Sequence, residues 1–423
     1  MKLKKLKSHA IILLLAVSVL LCGCSKDSSS FSKFGNIYRE SEDQQNSLTE
    51  NNYANEHYES SGQTDNYGFK IWDGETANKI GNTVYAVNKE LSVVRQGNLL
   101  YYFSYTPNRN SNDKSYAFLY ASCLDEKISF YGYDLSGADN MAQPLLYVEG
   151  KPYDLNVIGD TVYYRLATPG FDSNGKYSEH ANSSVYKAKR VTPENDYAYY
   201  ETEKIIDGHL KNMIVIGNRI IGTEYDSSTE NYFIEIYDIN GKPIKEINIG
   251  ENSVEKYLSV SEYEVYYSTY RQPLMLLDLN TYKNTEIYIK ADKTFSIETI
   301  FENKIFINHG YGDFYRCNLN VISNGLLKGT KIRSNDSPTS ILSINDGKVY
   351  FTDIIGDSIL GIININDSEM QSTEINFKNM PRFDVGTGIV IDDWIIGYDL
   401  LKSGAKIVMR NIKNSTEIYL SGV

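Results

Sequence analysis

A chain of 423 residues with 42 Lys and Arg against 54 Asp and Glu carries a formal charge of −12. That acid excess, without any basic cluster, argues against nucleic acid as a partner, because phosphate recognition needs concentrated Lys and Arg. Four cysteines in such a length exclude a disulfide-built scaffold, while 41% hydrophobic residues are enough for a globular core.

The first element in chain order is a leader, residues 1–23. It runs from Lys2, Lys4, Lys5 and Lys7 through an apolar stretch from Ala10 to Leu21, then Cys22-Gly23 ahead of Cys24. A basic end, a short apolar run and a small residue before the cleavage point are the order of an export signal. The apolar run is too short to cross a ~30 Å hydrocarbon core as a permanent helix, so cleavage is expected. Leu21-Cys22-Gly23-Cys24 resembles a lipobox, with Cys22 standing where Ala, Ser or Thr is usual. That resemblance implies a diacylglyceryl lipid, with palmitate-type chains, on Cys24. Two acyl chains at ~0.8 kcal/mol per buried methylene hold a protein on a membrane where one chain does not. The expectation is a lipoprotein anchored in the cell membrane and displayed on its extracytoplasmic side. Losing four lysines with the leader takes the formal charge from −12 to −16.

Residues 24–66 follow as the lipidated cysteine and a linker. SKDSSS and SEDQQNSLTENNYANEHYESSGQTDNYG hold few aliphatic residues and no sustained periodicity, so they are expected to be a disordered tether. A flexible chain of about 40 residues reaches roughly 35 Å.

From residue 67 to 423 short runs of Val, Ile, Tyr and Phe alternate with Gly, Asn, Asp and Ser pairs, which predicts strands and turns and no substantial helix. One unit recurs: a turn pair, a spacer, then a β-branched and aromatic strand. It reads Gly97-Asn98-Leu99-Leu100-Tyr101-Tyr102, then Gly159-Asp160-Thr161-Val162-Tyr163-Tyr164, and returns at positions 217, 262, 302, 346 and 392. The first two intervals are 62 and 58 residues and the later ones 40 to 46, close to the period of a four-stranded propeller blade. A second mark follows most copies, as in Tyr237-Asp238-Ile239-Asn240-Gly241 and Leu277-Asp278-Leu279-Asn280. Asp and Asn suit this place because their side chains bond the backbone two residues on and reverse the chain into an outermost strand. Two turn marks per repeat imply two hairpins per blade. Seven such units hide their faces only against one another, which predicts an all-β, seven-bladed β-propeller. The long intervals predict inserted loops, Thr106 to Ser115 and Thr168 to Ser184.

These turn-then-"VYY" units, together with Ile80-Gly81-Asn82-Thr83, resemble the domain of unknown function 5050 family. The resemblance covers about residues 70 to 423. It implies a surface-exposed β-propeller of the kind found largely in Gram-positive bacteria, similar to the propeller of the low-density-lipoprotein-receptor-related proteins. Its motifs are structural, so it supplies no catalytic residue.

Chemistry is scarce. Beyond the tether only His180, His209 and His309 occur, none at ligand spacing, with no HExxH and no CxxC. Asp172-Ser173-Asn174-Gly175 is too short for a calcium loop, and no P-loop, dinucleotide fingerprint or G-x-S-x-G elbow is present. Neither a metal nor a cofactor is therefore expected, and no catalytic residue is assigned. Cys123 and Cys317 fall in different repeats and read as free thiols. Of the 36 tyrosines, those of the repeated strands read as packing, one of each pair between blades. Tyr177 and Tyr311, placed in loops, are the candidate binding residues. The function expected is a binding module for a protein, peptide or cell-wall glycan. The alternative is a polysaccharide hydrolase or lyase with paired carboxylates in the propeller funnel.

Overall fold

The computed structural model describes residues 77–82 and, between Val93 and Tyr419, the strands and most of the tight turns that join them. The described strands fall into seven sheets of four antiparallel strands, each sheet made of four consecutive strands hydrogen-bonded in chain order. Sheet A holds β1 (Val93–Gln96), β2 (Leu99–Thr106), β3 (Tyr116–Cys123) and β4 (Leu146–Glu149). Sheet B holds β5 (Lys151–Ile158), β6 (Thr161–Phe171), β7 (Tyr177–Val191) and β8 (Tyr199–Ile206). Sheet C holds β9 (Lys211–Ile216), β10 (Arg219–Asp226), β11 (Asn231–Asp238) and β12 (Pro243–Gly250). Sheet D holds β13 (Val254–Ser261), β14 (Glu264–Thr269), β15 (Leu274–Asp278) and β16 (Asn284–Ile287). Sheet E holds β17 (Phe295–Phe301), β18 (Lys304–His309), β19 (Asp313–Asn318) and β20 (Gly329–Ser334). Sheet F holds β21 (Thr339–Asn345), β22 (Lys348–Asp353), β23 (Ile359–Asn364) and β24 (Ser372–Asn376), and sheet G holds β25 (Ile389–Ile391), β26 (Trp394–Asp399), β27 (Lys406–Asn411) and β28 (Glu417–Tyr419).

The recurring turn pair joins the first and second strands of each sheet. Gly97, Gly159, Gly217 and Gly347 take positive φ there (56°, 61°, 55° and 68°), a conformation that glycine adopts without Cβ strain. The Asp and Asn marks lie between third and fourth strands. Asp238 Oδ1 accepts from the Asn240 and Lys242 amides at 2.8 and 2.9 Å, and Asp278 Oδ1 from the Asn280 and Thr281 amides at 2.8 and 3.0 Å. Asn411 Oδ1 does the same for the Lys413 amide at 2.9 Å. These backbone bonds hold the Asp238 and Asp278 carboxyls below their ordinary range.

Apolar residues drive the packing of sheets A to D. Between A and B lie Tyr101, Phe103, Leu119 and Val148 against Val157, Val162, Tyr164 and Ala188. Phe103 meets Tyr164 edge-on at 5.3 Å. Between B and C lie Tyr163, Val185 and Ile206 against Leu210, Val215 and Ile220. Between C and D lie Ile221, Ile234 and Ile236 against Tyr257, Val265 and Tyr267. Because a sheet has a neighbour on each side, both tyrosines of a pair are buried: Tyr101 and Tyr102 are 2% and 0% exposed, Tyr163 and Tyr164 both 1%. The expectation that only one of each pair packs between blades is corrected accordingly.

These described cores join four consecutive blades, A to D, and the expected seven-bladed β-propeller is corrected to the four blades whose packing is described. For sheets E, F and G the facing side chains are described only in part. Their first strands run beside one another, β13 beside β17, β17 beside β21 and β21 beside β25. The repeat marks where strands turn, which all the sheets share, but it carries no information on how facing side chains interlock. The leader, Cys24 and the tether lie outside the described residues, as does the loop at 107–115.

The second inserted loop is also corrected. Residues Thr168–Phe171 and Tyr177–Asn182 are strand, extending the β6–β7 hairpin past its neighbours. β5 stops pairing with β6 at Ala167, and β8 stops pairing with β7 at Val185. Pro169 and Gly170 suggested a loop, yet Pro169 falls at a register shift between Thr168 and Gly170. A ribbon with open outer edges tolerates proline where a central strand does not.

Candidate binding rim

Each sheet has two ends, the rim of its first hairpin and the opposite rim, where second and third strands join. The opposite rim of sheets B and C carries an extended ribbon and a tyrosine pair. Over Thr168–Phe171 and Tyr177–Asn182 the ribbon of sheet B extends four residues past the end of β5, roughly 13 Å at strand rise. Tyr177 pairs with Phe171 in that ribbon and so belongs to a strand and not to a loop. Tyr311 lies outside the described residues. Cys123 ends β3 and Cys317 lies in β19, in two different sheets.

At the base of the ribbon a bulge in β5 turns polar side chains toward sheet C. One extra residue sits between Tyr153 and Asn156, and Asp154 takes φ 52°. Asp154 Oδ2 accepts from Arg165 Nε at 2.7 Å and from the Met213 amide at 2.9 Å. Arg165 Nη1 donates to Ser183 Oγ at 3.0 Å. Arg165 and Lys151 both lie over the Tyr153 ring, 5.1 and 5.0 Å from its centre, where the ring face attracts cations. Asn156, fully buried, accepts from the Val215 amide at 2.9 Å. Sheets B and C are therefore joined along their first strands by side chains that stand in for a strand ladder. Similar one-residue bulges occur in β9, β17 and β21. In β9, Asn212 at φ 49° donates from Nδ2 to the Val254 carbonyl of sheet D. Bulges of this kind re-aim side chains at the edges of a sheet.

On sheet C the same rim carries a tyrosine pair. Tyr225 and Tyr232 face each other across the β10–β11 hairpin with ring centres 4.8 Å apart, and Tyr225 is 38% exposed. Their turn is fixed by Asp226, whose Oδ1 accepts from the Ser228 amide and hydroxyl at 2.8 and 2.7 Å and whose Oδ2 accepts from Thr229 Oγ1 at 2.9 Å. Those bonds lower the Asp226 carboxyl below its usual range. Residue-type reasoning singled out neither this pair nor Tyr153, Asp154 and Arg165. The available signal was Asp226-Ser-Ser-Thr, a turn-forming run between two aromatic strands.

Carboxylates do meet on sheet C, but on its outer strands. Glu235 of β11 lies opposite Glu246 of β12. Partial burial, then the charges of Glu246 and Glu224, push the Glu235 carboxyl up to about 7. This pair stands two and three strands out from β9, the innermost strand of the sheet, and does not form the funnel constellation of a glycosidase. Among the described residues no group of three or more His, Cys, Asp or Glu side chains is placed to hold a metal ion.

No family model matches the chain, and no curated protein matches it. The family resemblance read from the turn-then-"VYY" units thus gains no support as membership. Solved structures that are similar include the β-propeller domain of the Trilobed protease from Pyrococcus furiosus. It is 13% identical, covering 80% of this chain and 97% of that one, with a TM-score of 0.48. Apo AztD from Citrobacter koseri is 14% identical, covering 79% and 86%, with a TM-score of 0.45. An acylaminoacyl peptidase from Pyrococcus horikoshii is 11% identical, covering 80% of this chain but 54% of its own, with a TM-score of 0.48. The fold rests on the chain's own sheets: it is all-β, built of four-stranded antiparallel units of the propeller-blade kind.

Proposed function

We propose that this protein is a membrane-anchored, extracytoplasmic binding module that engages an extended polypeptide on the rim of sheets B and C. The observation that carries the reading is the β6–β7 ribbon, whose two outer edges have no partner strand among the described residues over 168–171 and 177–182. Open strand edges accept a further strand through main-chain bonds, with neighbouring side-chain sites giving selectivity. Tyr177 near the ribbon tip and the Tyr225–Tyr232 pair beside it are the proposed selective contacts. Tyr311 is retained as a candidate contact on sequence grounds alone. Anchoring through Cys24 is supported by the order of charges, apolar run and lipobox-like residues at the start of the chain.

Two experiments test these parts separately. Cys24→Ala is expected to release the protein into the medium or leave it unprocessed, and normal processing with unchanged membrane retention contradicts the anchor. For binding, replacing residues 169–181 with a short turn should abolish capture of envelope polypeptides by the purified domain. Capture of purified cell-wall glycan instead, unaffected by the replacement, contradicts the ribbon reading.

A further inference from the structure

Residues 78–81 do not belong to any sheet. They run across the first-hairpin rim from sheet A to sheet D, bonded through the Asn78 amide, the Lys79 carbonyl and both main-chain groups of Gly81. The Asn78 amide donates to Gln96 Oε1 at 3.1 Å, and Asn78 Nδ2 donates to the carbonyls of Arg95 and Val157 at 2.8 and 3.2 Å. The Lys79 carbonyl accepts from the Gly217 amide at 2.8 Å. Ile80 forms a single bridge with Ile216 and packs on the core between C and D. The Gly81 amide donates to the Val215 carbonyl at 2.7 Å, and its carbonyl accepts from the Val157 amide at 2.6 Å. Lys79 Nζ reaches Glu262 Oε2 of sheet D at 3.1 Å.

Sheets B and C share no ladder of their own at this end, so a four-residue segment supplies one. Its fit is specific at Gly81, where an added Cβ meets Asn156 Cβ at 2.8 Å and Oδ1 at 3.0 Å. The same Asn156 accepts from the Val215 amide and donates from Nδ2 to the Asp154 carbonyl at 2.7 Å. A line of direct contacts thus runs from Gly81 through Asn156 to the Asp154 bulge and Arg165 on the binding rim.

We infer that residues 78–81 are an intramolecular strap that closes the joint between sheets B and C and holds the Asp154 bulge in place. The chain ahead of residue 77 is then coupled to the rim where binding is proposed. Withdrawing the strap frees the Val157 and Gly217 amides first and loosens the Asp154–Met213 bond next. The bearing of this device on binding rests on the rim reading above, but the device itself is testable without a partner.

The test is residue-resolved hydrogen exchange on the full chain and on three variants. In Gly81→Val the Val157 and Gly217 amides should exchange ~tenfold faster, with the Met213 amide following, while Ile221 and Ile234 inside sheet C stay protected. Asn78→Ala, which introduces no clash, should give the same pattern at about threefold. Lys79→Ala should leave exchange unchanged, since that side chain is 75% exposed. Unchanged exchange at Val157 and Gly217 in both strap variants overturns the inference, as does equal acceleration in every sheet. A response to Lys79→Ala as large as that to Gly81→Val also overturns it. Loss of the ribbon's binding with normal strap exchange bears on the rim reading alone.

Discussion

Truncating Asn156 to alanine gives the sharpest energetic test of how sheets B and C are joined. The residue is fully buried, and its side chain bonds the Val215 amide at 2.9 Å and the Asp154 carbonyl at 2.7 Å. Each bond contributes ~1 kcal/mol net, and a buried N–H left without its partner costs ~1–3 kcal/mol. The first effect acts twice and the second once, at Val215, so Asn156→Ala should lose about 3–5 kcal/mol. In a domain this large a kcal/mol shifts the melting temperature by roughly 2 °C, which places the expected fall at about 6–10 °C. Urea denaturation followed by intrinsic fluorescence, with calorimetry alongside, measures both quantities. The unfolding slope should be unchanged, because the native surface is the same. A loss below ~0.5 kcal/mol, typical of a surface site, refutes the claim that side chains stand in for a ladder between β5 and β9.

Other outcomes follow from the same geometry. Tyr257→Phe removes a buried hydroxyl that lies 2.6 Å from Thr223 Oγ1 and should cost ~1–2 kcal/mol in the same melts. Gly222→Ala places a Cβ 2.4 Å from Leu210 Cγ, so it should destabilise by ~1–3 kcal/mol through overpacking, and a neutral result contradicts the tight seating of Leu210 on β10. Glu235 is protonated more readily folded than unfolded, since its carboxyl is raised from 4.5 to about 7. Native stability is therefore undiminished below pH 4.5 and falls as pH rises toward 7. Glu235→Gln should flatten that fall and stabilise the protein at pH 8 by about 1 kcal/mol after allowance for solvent screening. Identical pH profiles for wild type and variant count against the Glu235–Glu246 coupling.

The parts of the fold written in local turn chemistry were legible from the residues. Gly97, Gly159 and Gly217 stand where the chain needs positive φ, and Asp238, Asp278 and Asn411 stand where an acceptor must cap a turn. The repeat of these two marks recovers four-stranded sheets. What depends on contacts between sheets was not legible. Pro169 and Gly170 read as loop because local preference cannot see that the strand they sit in has a free edge. Only one tyrosine of each pair was expected between blades because period-two alternation assumes one wet face, yet Tyr101, Tyr102, Tyr163 and Tyr164 are all buried. The Asp154–Arg165 group was missed for a related reason: a one-residue bulge re-aims Asp154, and no spacing rule reports a bulge. Residues 78–81 looked like one more turn-and-strand unit, Ile80-Gly81-Asn82-Thr83, yet their partners lie in sheets A, B, C and D.

The claim on which the functional account turns is that the rim of sheets B and C, and not the first-hairpin rim, meets the partner. Photo-crosslinking with a reactive side chain at position 177 on the ribbon, and separately at Tyr263 in the β13–β14 turn, tests it directly. Tyr263 is 53% exposed on the first-hairpin rim and so is able to react. On intact envelopes the account predicts that the position 177 probe yields discrete polypeptide adducts and the position 263 probe does not. Adducts from position 263 alone, or glycan adducts from either position, contradict it.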